Sequence, residues 1–156
     1  MSFLLRKATP QDAEIITAMR WKLFQETNST ETPEPPAEFL RESRAAVSHL
    51  LGNGQAFAWL AIVENGYVVG NLALLLHARL PSPRNVVPLE GYVMNVWVDP
   101  AWRRQGIATA LMDKALKKSR ELGLKRVRLH ATPEGRGAYA RAGFVAREDG
   151  MEATLV

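Results

Sequence analysis

The chain has 156 residues, 47% of them hydrophobic, which suits one domain because a second core would need roughly 100 residues more. It contains no cysteine, which excludes disulfides, thiolate metal sites and cysteine nucleophiles, and no apolar run approaches the ~18 residues of a membrane-spanning helix. The net charge of +4 is unevenly placed: from Asp99 to Arg147 twelve Lys/Arg stand against four Asp/Glu, whereas residues 1–98 carry eight against nine. Such a basic half suits nucleic acid, an acidic surface or a phosphorylated cofactor, or is simply a solvated face.

Phe3 to Lys7 reads as a first strand, and with Arg6 and Lys7 so close behind Phe3, Leu4 and Leu5 there is no secretory apolar region. A cytoplasmic location is expected. Thr9-Pro10-Gln11-Asp12 has the form of a helix start, and Ile15, Ile16, Met19, Leu23 and Phe24 recur at helical spacing to about Gln25. A polar, proline-bearing connection, Thr27 to Pro36, leads to a second helix from about Ala37 to Leu51, stopped at Gly52. Gln55–Val63 and Tyr67–Leu80 are rich in β-formers and are joined through Asn65-Gly66, the signature of a hairpin. After Pro81-Ser82-Pro83, Leu89–Val98 is a further strand.

Asp99-Pro100 ends that strand, and a helix is expected from about Arg104 to Leu122, with Ile107, Ala108, Leu111, Met112, Ala115, Leu116 and Leu122 as its apolar face and Gly123 as its stop. Arg126–Ala131 alternates like a strand. Pro133–Ala142 reads as a short helix ended by Gly143, and Phe144–Arg147 and Met151–Val156 as two closing strands. The order predicts a mixed α/β (α+β) single domain spanning residues 1–156.

The segment Val96-Trp97-Val98-Asp99-Pro100-Ala101-Trp102-Arg103-Arg104-Gln105-Gly106-Ile107-Ala108 is the most informative. A strand ends and a helix opens beside a glycine. The first amides of a helix lack intrahelical partners and lie at its positive dipole end, so they suit an anion. Gly106 has no Cβ and Ala108 little more, which leaves room for a phosphate, and Arg103 and Arg104 add charge. An ordinary strand-to-helix turn with surface arginines would look the same in isolation. Neither Gly-x-x-x-x-Gly-Lys-Ser/Thr nor Gly-x-Gly-x-x-Gly occurs, which excludes the common nucleotide-hydrolysing and dinucleotide loops.

At these residues the chain resembles the GNAT superfamily of N-acetyltransferases. Arg103-x-x-Gly106-x-Ala108 matches that family's acetyl-coenzyme A signature, Tyr92–Val98 is similar to its central strand, and Leu129–Arg136 followed by Tyr139-Ala140-Arg141-Ala142-Gly143-Phe144 resembles its second motif. The opening Leu5–Asp12 is also similar. The resemblance implies a mostly antiparallel sheet of about seven strands with about four helices, splayed between Leu89–Val98 and Arg126–Ala131. It implies acetyl-coenzyme A in that opening, paired with the backbone of Val96, Trp97 and Val98, its pyrophosphate on the amides of Arg104, Gln105, Gly106, Ile107, Ala108 and Thr109. Arg103, Thr132 and Arg136 complete the expected contacts; Thr132 stands where many relatives have asparagine. Many members dimerise, so a homodimer is one option.

Acetyl transfer needs a neutral amine, a stabilised oxyanion and a proton for the departing thiolate. The resemblance gives the proton to Tyr139, whose phenol, with a pKa near 10, can serve a thiolate of about 8.5. A main-chain N–H near Val96 would hold the oxyanion. Glu90, Tyr92 and Met94 alternate onto one face of the central strand, which makes Glu90 the candidate base and Tyr92 the second. His49, His77 and His130 share no metal-ligand spacing, so no metal is expected, although His130 adjoins the second motif.

Between residues 26 and 42, Glu26, Glu31, Glu34, Glu38 and Glu42 outnumber Arg41, so either an acidic entrance for a cationic amine or an ordinary solvated loop fits. Two alternatives to an enzyme stay open. An acyl-coenzyme A sensor with the same fold would dispense with Tyr139. A nucleic-acid-binding module would explain the pI near 9.7, but only Trp102 and Tyr139 lie beside the arginines as stacking aromatics. The expected partner is therefore a small-molecule or peptide amine, without nucleic acid or membrane.

Overall fold

The computed structural model describes residues 2–27, 30–147 and 149–155. Its elements are β1 (Leu4–Lys7), α1 (Ala13–Glu26), α2 (Ala37–Gly52), β2 (Ala56–Ile62), β3 (Val68–Ala78), β4 (Leu89–Val98), α3 (Ile107–Glu121), β5 (Val127–Arg128) and α4 (Arg136–Arg141). One sheet carries the strands in the order β1-β2-β3-β4-β5; the first three junctions are antiparallel and the last is parallel. The β2–β3 hairpin turns at Asn65 and Gly66, both with positive φ (72° and 80°), as an Asn-Gly turn requires.

Strand alternation assigns the two faces. Leu72 and Leu74 of β3 and Val93 and Val98 of β4 pack with Ile107, Leu111, Met112 and Ala115 of α3. On the opposite face Ala58 and Leu60 of β2 meet Ile16 of α1, with Val47 and Leu51 of α2 against them. The sheet is thus sandwiched between α1 and α2 on one side and α3 on the other. α3 begins at Ile107 rather than near Arg104, because Arg104 and Gly106 hold left-handed conformations (φ 63° and 83°) that a helix cannot include. Ala108 consequently faces outward instead of joining the apolar face, and Leu122 is only partly covered.

The alternation of β4 is interrupted once. Asn71 of β3 stands opposite Trp97 and Ala73 opposite Met94, so two steps along β3 match three along β4. The extra residue is a bulge at Asn95–Val96, and Asn95 takes a left-handed backbone (φ 59°), which asparagine tolerates better than most residues. Its side chain is buried, and Asn95 Nδ2–H donates to Asn71 Oδ1 at 2.8 Å. Beyond the bulge Trp97 reaches Glu26 of α1, while Val96 and Val98 turn to the α3 side.

β5 pairs with β4 only at Gly91↔Val127 and Tyr92↔Arg128. A strand over Arg126–Ala131 is expected from the sequence; the ladder stops at Arg128 because the bulge bends β4 away just beyond. The sheet has five strands, not about seven. Neither Phe144–Arg147 nor the described part of Met151–Val156 is a strand. Phe144 packs on the core, but Val145, Met151 and Leu155 are 80%, 101% and 92% exposed, and the two-residue β5 offers them little ladder to extend. Val156, at the end of the second expected closing strand, and Met1, Asn28 and Ser29 lie outside the described residues. The four α-helices agree with expectation, α4 being shorter than Pro133–Ala142.

The bulge makes a stability prediction. Asn95→Ala leaves a buried Asn71 amide without its partner and puts a Cβ-bearing, non-polar residue at positive φ, so it should lower stability by about 2 kcal/mol in urea unfolding. Asn95→Gly keeps the backbone conformation and should cost less. Negligible loss in both variants would contradict this account of β4.

Candidate active site

The parting of β4 and β5 opens a cleft of about 300 Å³. Tyr92 to Val96 form its β4 wall, Leu129, His130 and Thr132 face them, α1 covers one side, and Tyr139 of α4 closes it. Tyr139 is half-buried and meets Phe144 edge-on at 6.2 Å. Gly135 allows this placement: a Cβ there would come within 3.0 Å of Tyr139 Cε2. Burial pushes the Tyr139 phenol above its ordinary pKa of 10, so it is a protonated donor at neutral pH.

Tyr92 projects into the same cleft and its hydroxyl is hydrogen-bonded to His130 Nδ1. His77 stacks on the other side of the Tyr92 ring, at 5.4 Å between centroids. A phenol in contact with an imidazole is a route by which a proton can leave the cleft. Glu90, by contrast, does not line it. The Glu90 carboxylate is 14% exposed and lies 3.7 Å from Arg126 Nε and 3.6 Å from Arg128 Nη1.

At the far end of β4, the loop into α3 is locked by Glu26 from α1. Arg103 Nη2 donates to both Glu26 oxygens at 2.7 and 2.8 Å, Trp97 Nε1–H donates to Oε1 at 3.1 Å, and Arg103 Nε donates to the Val98 carbonyl at 2.8 Å. Arg103 is therefore a clamp between α1 and β4. Arg104 is exposed, and a Cβ added to Gly106 would meet no atom within 4 Å. The first intrahelical bond runs from the Ala110 N–H to the Gly106 carbonyl at 3.0 Å, which leaves the amides of Ile107, Ala108 and Thr109 ahead of it. Gln105 Oε1 is buried without a protein partner.

Of the residues expected from the sequence, Tyr139, Val96 and Thr132 line the cleft, and Arg104 to Thr109 form the turn into α3. The Trp97 and Val98 side chains are buried under α1 and α3, and Arg136 is exposed on the first turn of α4. Sequence reasoning missed Asn71, Asn95 and Arg20, and read Glu26 only as part of the acidic stretch. Arg20 had a signal: it stands four residues after Ile16 and three before Leu23, a cation on the apolar face of α1. Its guanidinium sits over the Phe24 ring at 4.6 Å, with Nη1 3.4 Å from Asn95 Oδ1. None of the carboxylates between residues 26 and 42 lines the cleft: Glu26 serves Arg103, Glu42 lies 3.6 Å from Arg41, and Glu31, Glu34 and Glu38 are exposed.

Among the described residues no cluster of three His, Cys, Asp or Glu could hold a metal, and no helix is long and apolar enough to cross a membrane. Among curated proteins none matches the sequence significantly. Solved structures do match. A predicted acetyltransferase from Clostridium acetobutylicum, crystallised with acetyl-CoA, superposes with a TM-score of 0.88 at 24% identity, over 99% of this chain and 97% of that one. A GCN5-related N-acetyltransferase from Ralstonia eutropha gives 0.83 at 26%, over 99% of both chains. An aminoglycoside acetyltransferase from an uncultured soil metagenomic sample gives 0.75 at 21%, over the whole of both. The model of the acetyltransferase (GNAT) family matches residues 17–144. With a fold splayed at β4 and a glycine-led α3 beside the splay, the chain belongs to the GNAT acetyltransferase family.

Proposed function

We propose that this protein transfers the acetyl group of acetyl-CoA to a primary amine by direct attack while both substrates are bound. The observation that carries the reading is the convergence on one cleft of the β4 bulge, the Tyr139 phenol and the Tyr92–His130 pair. Acetyl-CoA, when bound, supplies an acetyl thioester that an amine can attack. The chain has the features to receive it. β4 loses its β5 partner after Tyr92, so its edge around Val96, Trp97 and Val98 can pair with an extended pantetheine arm, apart from the Val98 carbonyl that Arg103 Nε occupies. The open space over Gly106 and the leading amides of α3 suit its pyrophosphate.

The residues of the chain divide the chemistry as follows. The N–H of Val96, set at the bulge, donates to the oxyanion that develops during attack. Tyr139 donates a proton to the departing thiolate. Tyr92 and His130 accept the proton released by the amine and pass it outward; Glu90, held beside Arg126 and Arg128 and outside the cleft, serves the β4–β5 junction instead. Arg104, Gln105, Thr132 and Arg136 remain candidates to contact the cofactor, whereas Arg103 acts through the loop it clamps to Glu26.

Tyr139→Phe tests the assignment. The variant should bind acetyl-CoA like the parent yet lose turnover by about 10²-fold or more, as expected for removal of a general acid. Because burial raises the pKa of the phenol, the midpoint for loss of the acid in the parent should lie above that of a free tyrosine. Unchanged turnover in Tyr139→Phe would remove the acid role. Retained acetyl-CoA binding with no transfer by the parent to any amine would favour an acyl-CoA sensor.

A further inference from the structure

The electrostatics of the cleft differ from those of its surroundings in a way that bears on the acceptor. Among the described residues lining it, Arg20 alone carries a permanent charge. The guanidinium is partly buried, and among the described residues no carboxylate pairs with it; its neighbours are the Phe24 ring and the Asn95 amide oxygen at 3.4 Å. Burial lowers its pKa from the usual arginine value, the mark of a cation short of solvent and of a counter-ion, yet arginine stays charged at any ordinary pH. By contrast, Arg103 is held by Glu26, and Arg126 and Arg128 flank Glu90.

Arg20 also lies close to where the reaction would occur. It touches Asn95, and the next amide along the chain is that of Val96 at the bulge. Leu23, Phe24 and Met94 give this side an apolar wall, with Thr27 at its end. A partly desolvated guanidinium facing a small, mainly apolar cleft is suited to a carboxylate or phosphate, which it can bind through two parallel N–H donors.

We infer that the acceptor is a small amine carrying an anionic group, a carboxylate or a phosphate, within a few bonds of the reacting nitrogen, and that Arg20 binds that group. The inference deepens the acetyltransfer reading and rests on it for the identity of the cleft. It also assigns the two charges of such a molecule. The exposed Glu31 and Glu34, on the connection that follows α1, and Glu38, in the first turn of α2, tolerate an approaching ammonium, while Arg20 holds the anion inside. The cleft of about 300 Å³ has room for a group about the size of an amino acid.

The test measures equilibrium binding by calorimetry, so that it does not depend on turnover. The probes are N-acetylphenylalanine, its uncharged amide and N-acetylaminoethyl phosphate, titrated into the whole chain with and without coenzyme A. The parent should bind one or both anionic probes at least tenfold more tightly than the amide. Arg20→Gln should abolish that preference, and Arg20→Lys should keep part of it, with unfolding midpoints of the variants reported alongside to show that they fold. Tighter binding of the carboxylate or of the phosphate then identifies which anion the site takes. Equal binding of charged and uncharged probes by the parent, or a preference that survives Arg20→Gln, overturns the inference. Failure of acetyl-CoA to bind while the Arg20-dependent preference persists would contradict acetyl transfer and leave the anion site standing.

Discussion

A single extra residue in β4 organises this molecule. With regular alternation, β4 would continue beside β5 and the sheet would close. With two residues, Asn95 and Val96, occupying the space of one, β4 bends, the ladder to β5 ends after two pairs, and a cleft opens where strands would otherwise meet. The same irregularity resets which side chains face which helix. Asn95 and Trp97 come to the α1 side, and Val96 and Val98 anchor the strand on α3. The conformation at Asn95 is held by a buried bond to Asn71, which ties the bend to the neighbouring strand.

Two further constraints keep the opening in place. Glu26 at the end of α1 joins Arg103 and Trp97, so the loop from β4 to α3 is fixed at the level of the bulge. Positive φ at Arg104 and Gly106 then delays the start of α3 to Ile107, so that its leading amides lie beside the loop. At the other wall, Gly135 admits the Tyr139 ring and Phe144 supports it. The backbone proposed to bind the cofactor and the candidate acid are thus positioned by packing on opposite sides of one gap.

Much of this was legible in the sequence, for identifiable reasons. The Asn65-Gly66 hairpin, the proline-led start of α1 and the glycine before α3 are local signals, and all appear at or near their expected positions. Tyr139 was found through the paired motifs of the family. The bulge was not legible, because Tyr92–Val98 reads as an even strand and only the register against β3 reveals the extra residue. Glu90 satisfied a strand-alternation argument, but its arginine neighbours are Arg128 on β5 and Arg126 just before that strand. The closing strands failed for a related reason: strand-like composition cannot form a ladder when the neighbouring β5 has two residues. The net acidity of residues 26–42 fitted either an entrance for a cationic amine or a solvated loop, whereas the cleft itself holds Arg20, which only the packing of α1 on β4 brings there.

The most direct measurement of the central claim, that the bulge-opened cleft receives acetyl-CoA, is thermal unfolding of the chain with that ligand and with ATP as a phosphate-bearing control. At about 100 times its Kd a ligand stabilises by ~2.7 kcal/mol, which for a chain this size raises the midpoint by several degrees, at ~2–4 °C per kcal/mol. The account predicts a saturable rise with acetyl-CoA and little change with ATP. No shift with acetyl-CoA, or an equal shift with both, would contradict it.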